Sequence, residues 1–452
     1  LISISSVLVR QYHQFRRTDT EGRIFLVRRR YFPGLLWRLA FPFSMVLAVL
    51  LRAALLLLRP LVQIRFGRMY SQSIGTWDIP MELYLCERDA GWHPKKSWDI
   101  FYHFDPDRHT LKNPPKVTRM VPNRQVEKMV SANLRIMQPV SVLDSLIRML
   151  PRGAEHFTVP LSIPFDANDL LQQCPPHFSF TAEEEERGQA GLREIGVDQG
   201  VKFVCFHVRD GEFLYQVRPR MVSIYGDWQE QPYRNAAMEN FLKAADQLTE
   251  LGYFVLRMGQ WSKEPLEHPN PRVIDYATKH QTDFMDAYLS AKCEFFIGTN
   301  SGMTSIPMMY RTPLALVNVV PYSEIPYSGT NDLFIPKKYF SHSENRLLSF
   351  QEVMNEPLLL HYNNKYTDRS RAYYDSIGLE IQENSPEEIA GLTLELEQRI
   401  RGDFQPSPED EELQARYLSI IRSHTDKLHP VRGLEKRRIG SHFLRTNPEI
   451  LD

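Results

Sequence analysis

Three stretches of this chain place ionisable or small polar side chains where a strand-like run stops. VCFHVRDGEF sets His207, Arg209 and Asp210 behind the apolar Val204–Phe206, YFVLRMG ends on Arg257 and Gly259, and FFIGTNSGM runs into Thr299, Asn300, Ser301 and Gly302. In an open α/β sheet, ligands bind at the carboxyl ends of the strands, so charge collected there predicts a binding site. The chemistry on offer is anion binding. Guanidinium groups grip phosphate through paired hydrogen bonds, and a helix opened by Gly302 would present free amides and the positive end of its dipole. Each stretch also has a plain reading, a solvated loop after His207 and a helix cap at Ser301. Their coincidence at several strand ends favours one crevice.

The elements that must hold these ends follow from periodicity. From Gln199 onward VKFVCFHV, YFVLRMG, RVIDYA, CEFFIGTNSG and TPLALVNVV read as strands. Between them lie the amphipathic AMENFLKAADQLTELG, a short helix TDFMDAYLSA capped by Thr282, and MTSIPMMY. Strands alternating with helices predict a parallel, doubly wound α/β sheet. Upstream, LVQIRFGRM and WDIFYHF read as strands, SIGTWDIPMELYLCERDA as a loop entering a helix, and Asn123 as the start of another helix. The polar, proline-rich region 151–185 reads as a crossing or a surface insertion. The expected organisation is 1–62, 63–185, 186–385 and a helical 386–452 that packs back on the N-terminal domain.

Composition narrows the class. A net charge of -1 with pI near 7 gives no basic field for nucleic acid. The four cysteines, Cys86, Cys174, Cys205 and Cys293, are far apart without a CxxC, which points to a reducing compartment and away from a cysteine zinc site. No metal site is expected, Asp105 and Asp107 reading as part of a structural turn. GxGxxG after a strand, a Walker loop and a GxSxG elbow are missing, so no nicotinamide or other cofactor is indicated.

Residues 1–62 differ from the rest. Arginines at 10, 16, 17, 23, 28, 29 and 30 precede the apolar stretch Leu35–Val62, which is long enough to span a bilayer. Arg38, Arg52 and Arg59 fall near one helical face. That stripe predicts an in-plane, monotopic helix whose guanidinium groups reach lipid phosphates, bounded or kinked by Pro42 and Pro60, with a single span as the alternative. The chain opens on Leu1, so its natural start is expected upstream.

HVRD, YRNA at Tyr233–Ala236, LRMG, VIDYA, FFIGTNSGM and ALVN occur in an order that resembles a bacterial family of GT-B glycosyltransferases linked to surface-polysaccharide synthesis, over about residues 64–345. SIGTWDIPMELYLCERDAG and, more weakly, FLRTNPEIL resemble it too. HVR is similar to the histidine-x-arginine motif of fucosyltransferases, which implies that Arg209 holds a donor diphosphate, and GTNSG is similar to the phosphate loop of heptosyltransferases. The resemblance implies a GT-B-like pair of Rossmann-type domains, 63–185 on the acceptor side and 186–385 on the donor side. His207, Arg209, Asp210, Arg234, Asn235, Arg257, Gly259 and Thr299 to Gly302 would bind the donor, and Gly75 and Thr76 would lie on the acceptor side. Thr76 departs from the histidine common there. The implied activity is metal-independent transfer from a nucleotide-sugar to a surface-glycan or lipid-linked acceptor, at the cytoplasmic face of a bacterial inner membrane. A sugar-nucleotide epimerase and a non-catalytic glycan-binding relative are the alternatives. A general base would come from SIGTWDIPMEL, where Glu82 is favoured over Asp78; both could equally serve a helix N-terminus.

Overall fold

The structure, a computed structural model, describes residues 32–104, 121–152, 154–161, 166–212, 232–262, 264–323, 329, 332–356, 359, 371–425 and 437–452. The basic arm before residue 32, and Asp105 and Asp107, lie outside the described residues.

In chain order the first part runs α1 (Phe32–Leu58), β1 (Gln63–Met69), α2 (Asp78–Asp89), β2 (Ser97–His103), α3 (Arg124–Asn133), α4 (Val140–Met149) and α5 (Ala182–Ile195). It continues with β3 (Phe203–His207), α6 (Glu239–Glu250), β4 (Phe254–Met258), β5 (Val273–Ile274), α7 (Asp283–Lys292), β6 (Phe296–Thr299), α8 (Ser305–Met309) and β7 (Leu314–Val319). The last part comprises β8 (Leu333–Pro336), β9 (Lys338–Ser341), β10 (Arg346–Leu347), β11 (Leu379–Gln382), α9 (Pro386–Arg401), α10 (Pro408–Ser423), β12 (Arg438–Ile439) and α11 (Ser441–Thr446).

These elements form two compact units that interleave in sequence. The first takes Leu1–Gln72, His93–Val121 and Leu134–Pro160, and the second Ser73–Trp92, Pro122–Asn133 and Leu161–Asp452. A linear cut at 185 therefore does not follow the division in space: α2 and α3 belong with the large sheet. The reason is local packing. Asn123 caps α3 by accepting from Val126 N at 3.0 Å and donates to the Asp283 carbonyl at 2.9 Å, which fixes α3 to α7.

In the first unit β1 and β2 pair in parallel from Gln63↔Ser97 to Met69↔His103, and single parallel bridges add Thr158 beside β1 and Ile136 beside β2. Phe66, Ile100, Tyr102, Ile147 and Phe157 make its core, with Leu55 and Leu56 of α1 against it. Arg65 and Asp99, both buried, pair across the two strands at 2.5 Å.

The second unit is the predicted doubly wound sheet. Seven parallel strands run in the order β12, β8, β7, β6, β3, β4, β5. The central strands are buried along their whole length and mostly apolar, as strands covered on both faces are. Thr282 caps α7 as its sequence predicts, accepting from Met285 N at 3.1 Å. The described part of the C-terminal segment packs chiefly on this same sheet. β12 adds beside β8 and α9 lies on α6, while Arg437 reaches Asp169 at 3.8 Å. A three-stranded antiparallel sheet, β10, β9, β11, completes the unit.

Candidate functional site

The chain leaves β3 for β4 and β5, then returns to place β6 on the opposite side of β3. That reversal is the topological switch point of an open α/β sheet, where a crevice opens at the strand ends. His207 ends β3 and leads into Val208 to Asp210, and Thr299 ends β6 and leads into Asn300 to Gly302, so two of the three predicted stretches flank it. They touch directly, Arg209 N donating to Thr299 Oγ1 at 3.2 Å.

The YRNA segment ties both ends together. Ala236 N donates to the Arg209 carbonyl at 3.0 Å, the Arg209 guanidinium donates to Asn235 Oδ1, and Asn235 Nδ2 reaches the Asp210 carbonyl at 3.4 Å. Arg234 Nη2 donates to the Asn300 carbonyl at 2.7 Å, and Tyr233 anchors the segment in the core. Beneath it stands a residue that sequence reasoning missed. Lys337, just past β8 and 2 % exposed, donates from Nζ to the Asn235 carbonyl at 2.6 Å and lies 3.7 Å from Glu383. Its only sequence signal was a lysine pair directly after an apolar run.

Burial, with Arg209 nearby, lowers the Lys337 ammonium to about 8, against the pull of Glu383. Below that pH the group is a cation, and above it neutral. Affinity for any anion bound beside this segment is therefore expected to fall as pH rises through about 8, and Lys337→Met should flatten that dependence; calorimetric titrations across this window check both.

Other predicted residues have different work. His207 Nδ1 lies 3.1 Å from the Met258 carbonyl, which can only accept, so Nδ1 carries the proton. Burial lowers the His207 pKa, which favours the neutral ring. Gly259, at φ 149°, lies against that ring: a side chain there would meet Ser262 Oγ at 3.2 Å and His207 Nδ1 at 3.5 Å. Arg257 does not serve the crevice. It is 4 % exposed, donates to the Glu264 carbonyl at 2.6 Å and lies 3.6 Å from Asp275, holding β4 to the turn after it.

The helix expected after Gly302 is short. A 3-10 turn, Gly302–Thr304, leads into five-residue α8, and Ser301 makes no side-chain cap. So short a helix contributes little dipole. Gly302 is required for a backbone approach, not of phosphate but of the Ile74 carbonyl, which a Cβ at 302 would meet at 2.4 Å. Gly75, at φ 88°, faces Gly302 in the same way. The loop Ser73–Trp77 and the loop after β6 thus share one seam, with Thr76 exposed beside it and its hydroxyl donating to the Ser73 carbonyl at 2.7 Å.

Asp78 closes that seam from inside. Its carboxylate accepts from Gly75 N at 2.7 Å, Ile79 N at 2.9 Å and the Ser305 hydroxyl, and its burial is complete. Burial raises its pKa while those donors lower it. Glu82, one turn on, is also fully buried and pairs with Arg311 Nη2 at 2.7 Å. His177 Nδ1 lies 3.1 Å from the same oxygen, and its Nε2 lies 2.9 Å from Asp89. Both ring nitrogens face carboxylates, and the Glu82 bond leads in raising the His177 pKa. This arrangement leaves Glu82 without the access that a general base needs; Asp78 and Glu82 hold α2 in place. Glu82, Cys86 and His177 bring an oxygen, a sulfur and a nitrogen within 4.8 Å, a donor set that a transition metal could use. Arg311, 3.5 Å from Cys86 Sγ, already brings positive charge there. Folding gathers this cluster from positions 82 to 311, beyond the reach of any sequence spacing.

No protein-family model and no curated protein matches the chain. Among solved structures it is similar to a family 9 glycosyl transferase from Veillonella parvula DSM 2008, with 13% identity, coverage of 61% of this chain and 86% of that one, and TM-score 0.36. It is also similar to E. coli ADP-heptose LPS heptosyltransferase II, with 13% identity, coverage of 60% and 90%, and TM-score 0.35. A third is the dodecameric iron-containing heptosyltransferase TibC in complex with ADP-D-β-D-heptose, with 12% identity, coverage of 75% and 78%, and TM-score 0.35. TibC is from enterotoxigenic E. coli. At these scores no residue's role passes from those proteins to this chain.

Proposed function

We propose that the chain is a nucleotide-sugar-dependent glycosyltransferase of the GT-B kind, and that Arg209 and Arg234 hold the donor diphosphate at the ends of β3 and β6, with the buried Lys337 supporting the segment between them through the Asn235 carbonyl. The observation that best supports this reading is that Arg209 and Lys337 both bond Asn235 while its neighbour Arg234 bonds Asn300, which gathers three cationic side chains at the switch point of a parallel sheet. When an acceptor hydroxyl attacks the anomeric carbon and gives up its proton to solvent, the bond to the diphosphate breaks and negative charge grows on the leaving oxygen. Fixed cations in a partly buried crevice stabilise that charge more than the ground state. Asp210, Asn235, Thr299 and Asn300 complete the donor side, and Gly75 and Thr76 lie toward the acceptor. The order of HVRD, YRNA and GTNSG in the sequence supports the same assignment.

With the diphosphate neutralised by side chains, turnover is expected to survive excess chelator; activity that is lost in chelator and restored by magnesium or manganese would overturn it. A glycan or lipid-linked acceptor at the cytoplasmic face of a bacterial inner membrane accords with the apolar α1. Thr76 favours a second reading, a binding relative without turnover, because a threonine already bonded to Ser73 offers no base. Thermal stabilisation by a panel of nucleotides and nucleotide-sugars tests the first step, since a ligand at a hundred times its Kd adds about 2.7 kcal/mol. Product analysis with and without acceptor then separates transferase, epimerase and binding protein.

A further inference from the structure

Helix α1 is long and apolar enough to cross a membrane, and it runs unbroken through Pro42. Its two faces are nonetheless unlike. Ala48 is 1 % exposed, and Leu55 and Leu56 pack against the core of Phe66, Tyr102 and Ile147. Arg52, between them, points into the protein rather than toward lipid: Nη1 donates to the Pro151 carbonyl at 2.9 Å and Nη2 reaches the Arg152 carbonyl at 3.5 Å, both just past α4. The stripe read as phosphate-seeking is therefore, at Arg52, a latch onto its own unit. The opposite stripe is apolar and open, with Phe43 at 79 %, Leu50 at 62 % and Leu57 at 81 % exposure, and Val46 and Leu47 between. These positions recur at helical spacing along one face. A continuous apolar patch of this kind marks an interaction surface.

A spanning helix needs about 20 residues surrounded by lipid. Here Ala48 is buried and Arg52, Leu55 and Leu56 are held against the unit, so lipid cannot surround the helix. We propose that α1 lies in the plane of an anionic bilayer, with Phe43, Val46, Leu47, Leu50 and Leu57 in the acyl boundary and Arg52 fixing the roll of the helix. Charge selects this occupant over a second copy of the chain. Besides the latched Arg52, residues 1–62 hold nine arginines against two acidic residues, Asp19 and Glu21, a balance that attracts anionic headgroups and repels another such arm.

The test uses the full chain with vesicles. It should sediment with vesicles containing phosphatidylserine and much less with purely zwitterionic ones. The double change Leu47→Asp and Leu50→Asp should lower the bound fraction at least tenfold while the thermal midpoint holds, because both side chains are exposed. Phe43→Cys, Leu50→Cys and Leu57→Cys, each labelled with a fluorophore in a Cys174→Ser background, should be quenched equally by shallow lipid nitroxides. Graded depth with Leu50 deepest would establish a span, and concentration-dependent dimers without vesicle binding would establish a second copy. Either result, or an unchanged double variant, overturns the proposal.

Discussion

Arg209→Ala is expected to weaken binding of a nucleotide diphosphate by about 10- to 100-fold, the range for losing one charge-assisted hydrogen bond of roughly 1.5–3 kcal/mol. The guanidinium stands at the end of β3, where its backbone amide is fixed by Thr299 and one arm is oriented by Asn235. It is thus held in place before ligand arrives, so removal costs binding rather than ordering. The side chain is only half-buried, and its loss should leave the thermal midpoint of the free protein nearly unchanged. Calorimetry with a nucleotide diphosphate checks the affinity. An unchanged Kd would move the anion site away from β3.

Glu82→Ala is expected to destabilise the protein by about 3–5 kcal/mol, because it leaves the Arg311 guanidinium facing a buried, uncompensated site. At about 2–4 °C per kcal/mol for larger domains, the midpoint should fall by roughly 6 °C or more. Glu82→Gln, which keeps shape and loses charge, should fall part of the way. The His177 contribution has its own sign. A folded pKa raised above the ordinary histidine value means that this stability is complete below that value and is lost as pH rises through the folded pKa. A Glu82→Gln protein with an unaltered midpoint and turnover reduced a hundredfold would instead restore the side chain to the chemistry.

Local chemistry was legible in the sequence and long-range assembly was not. The alternation that predicts β3, β4, β6 and β7 is a period any apolar strand shows, and Thr282 and Asn123 cap their helices because capping is decided within three residues. The strand-end clusters were equally visible, since loops at a switch point carry their polar residues in order. Lys337 was not, because one buried lysine has no pattern until Asn235 is folded above it. Arg257 and Arg209 look alike as strand-end arginines, and only Asp275 and the Glu264 carbonyl, placed by the turn after β4, separate their roles. The roll of α1 was half legible: periodicity put Arg52 on one face and leucines on the other, but the carbonyls after α4 decide which face the protein keeps.

The seam between Gly75 and Gly302 bears on how such a protein can be rebuilt. Exchanging residues 186–385 with those of a relative, as one would to change donor preference, imports a new loop after β6 beneath an old one at Ser73–Trp77. Any residue other than glycine at 302 would strike the Ile74 carbonyl, and any residue without a hydroxyl at 305 would strip Asp78 of that partner. The portable cassette is therefore discontinuous, 73–92 and 122–133 travelling with 161–452, and a chimera cut along that boundary should fold where one cut at 185 should not.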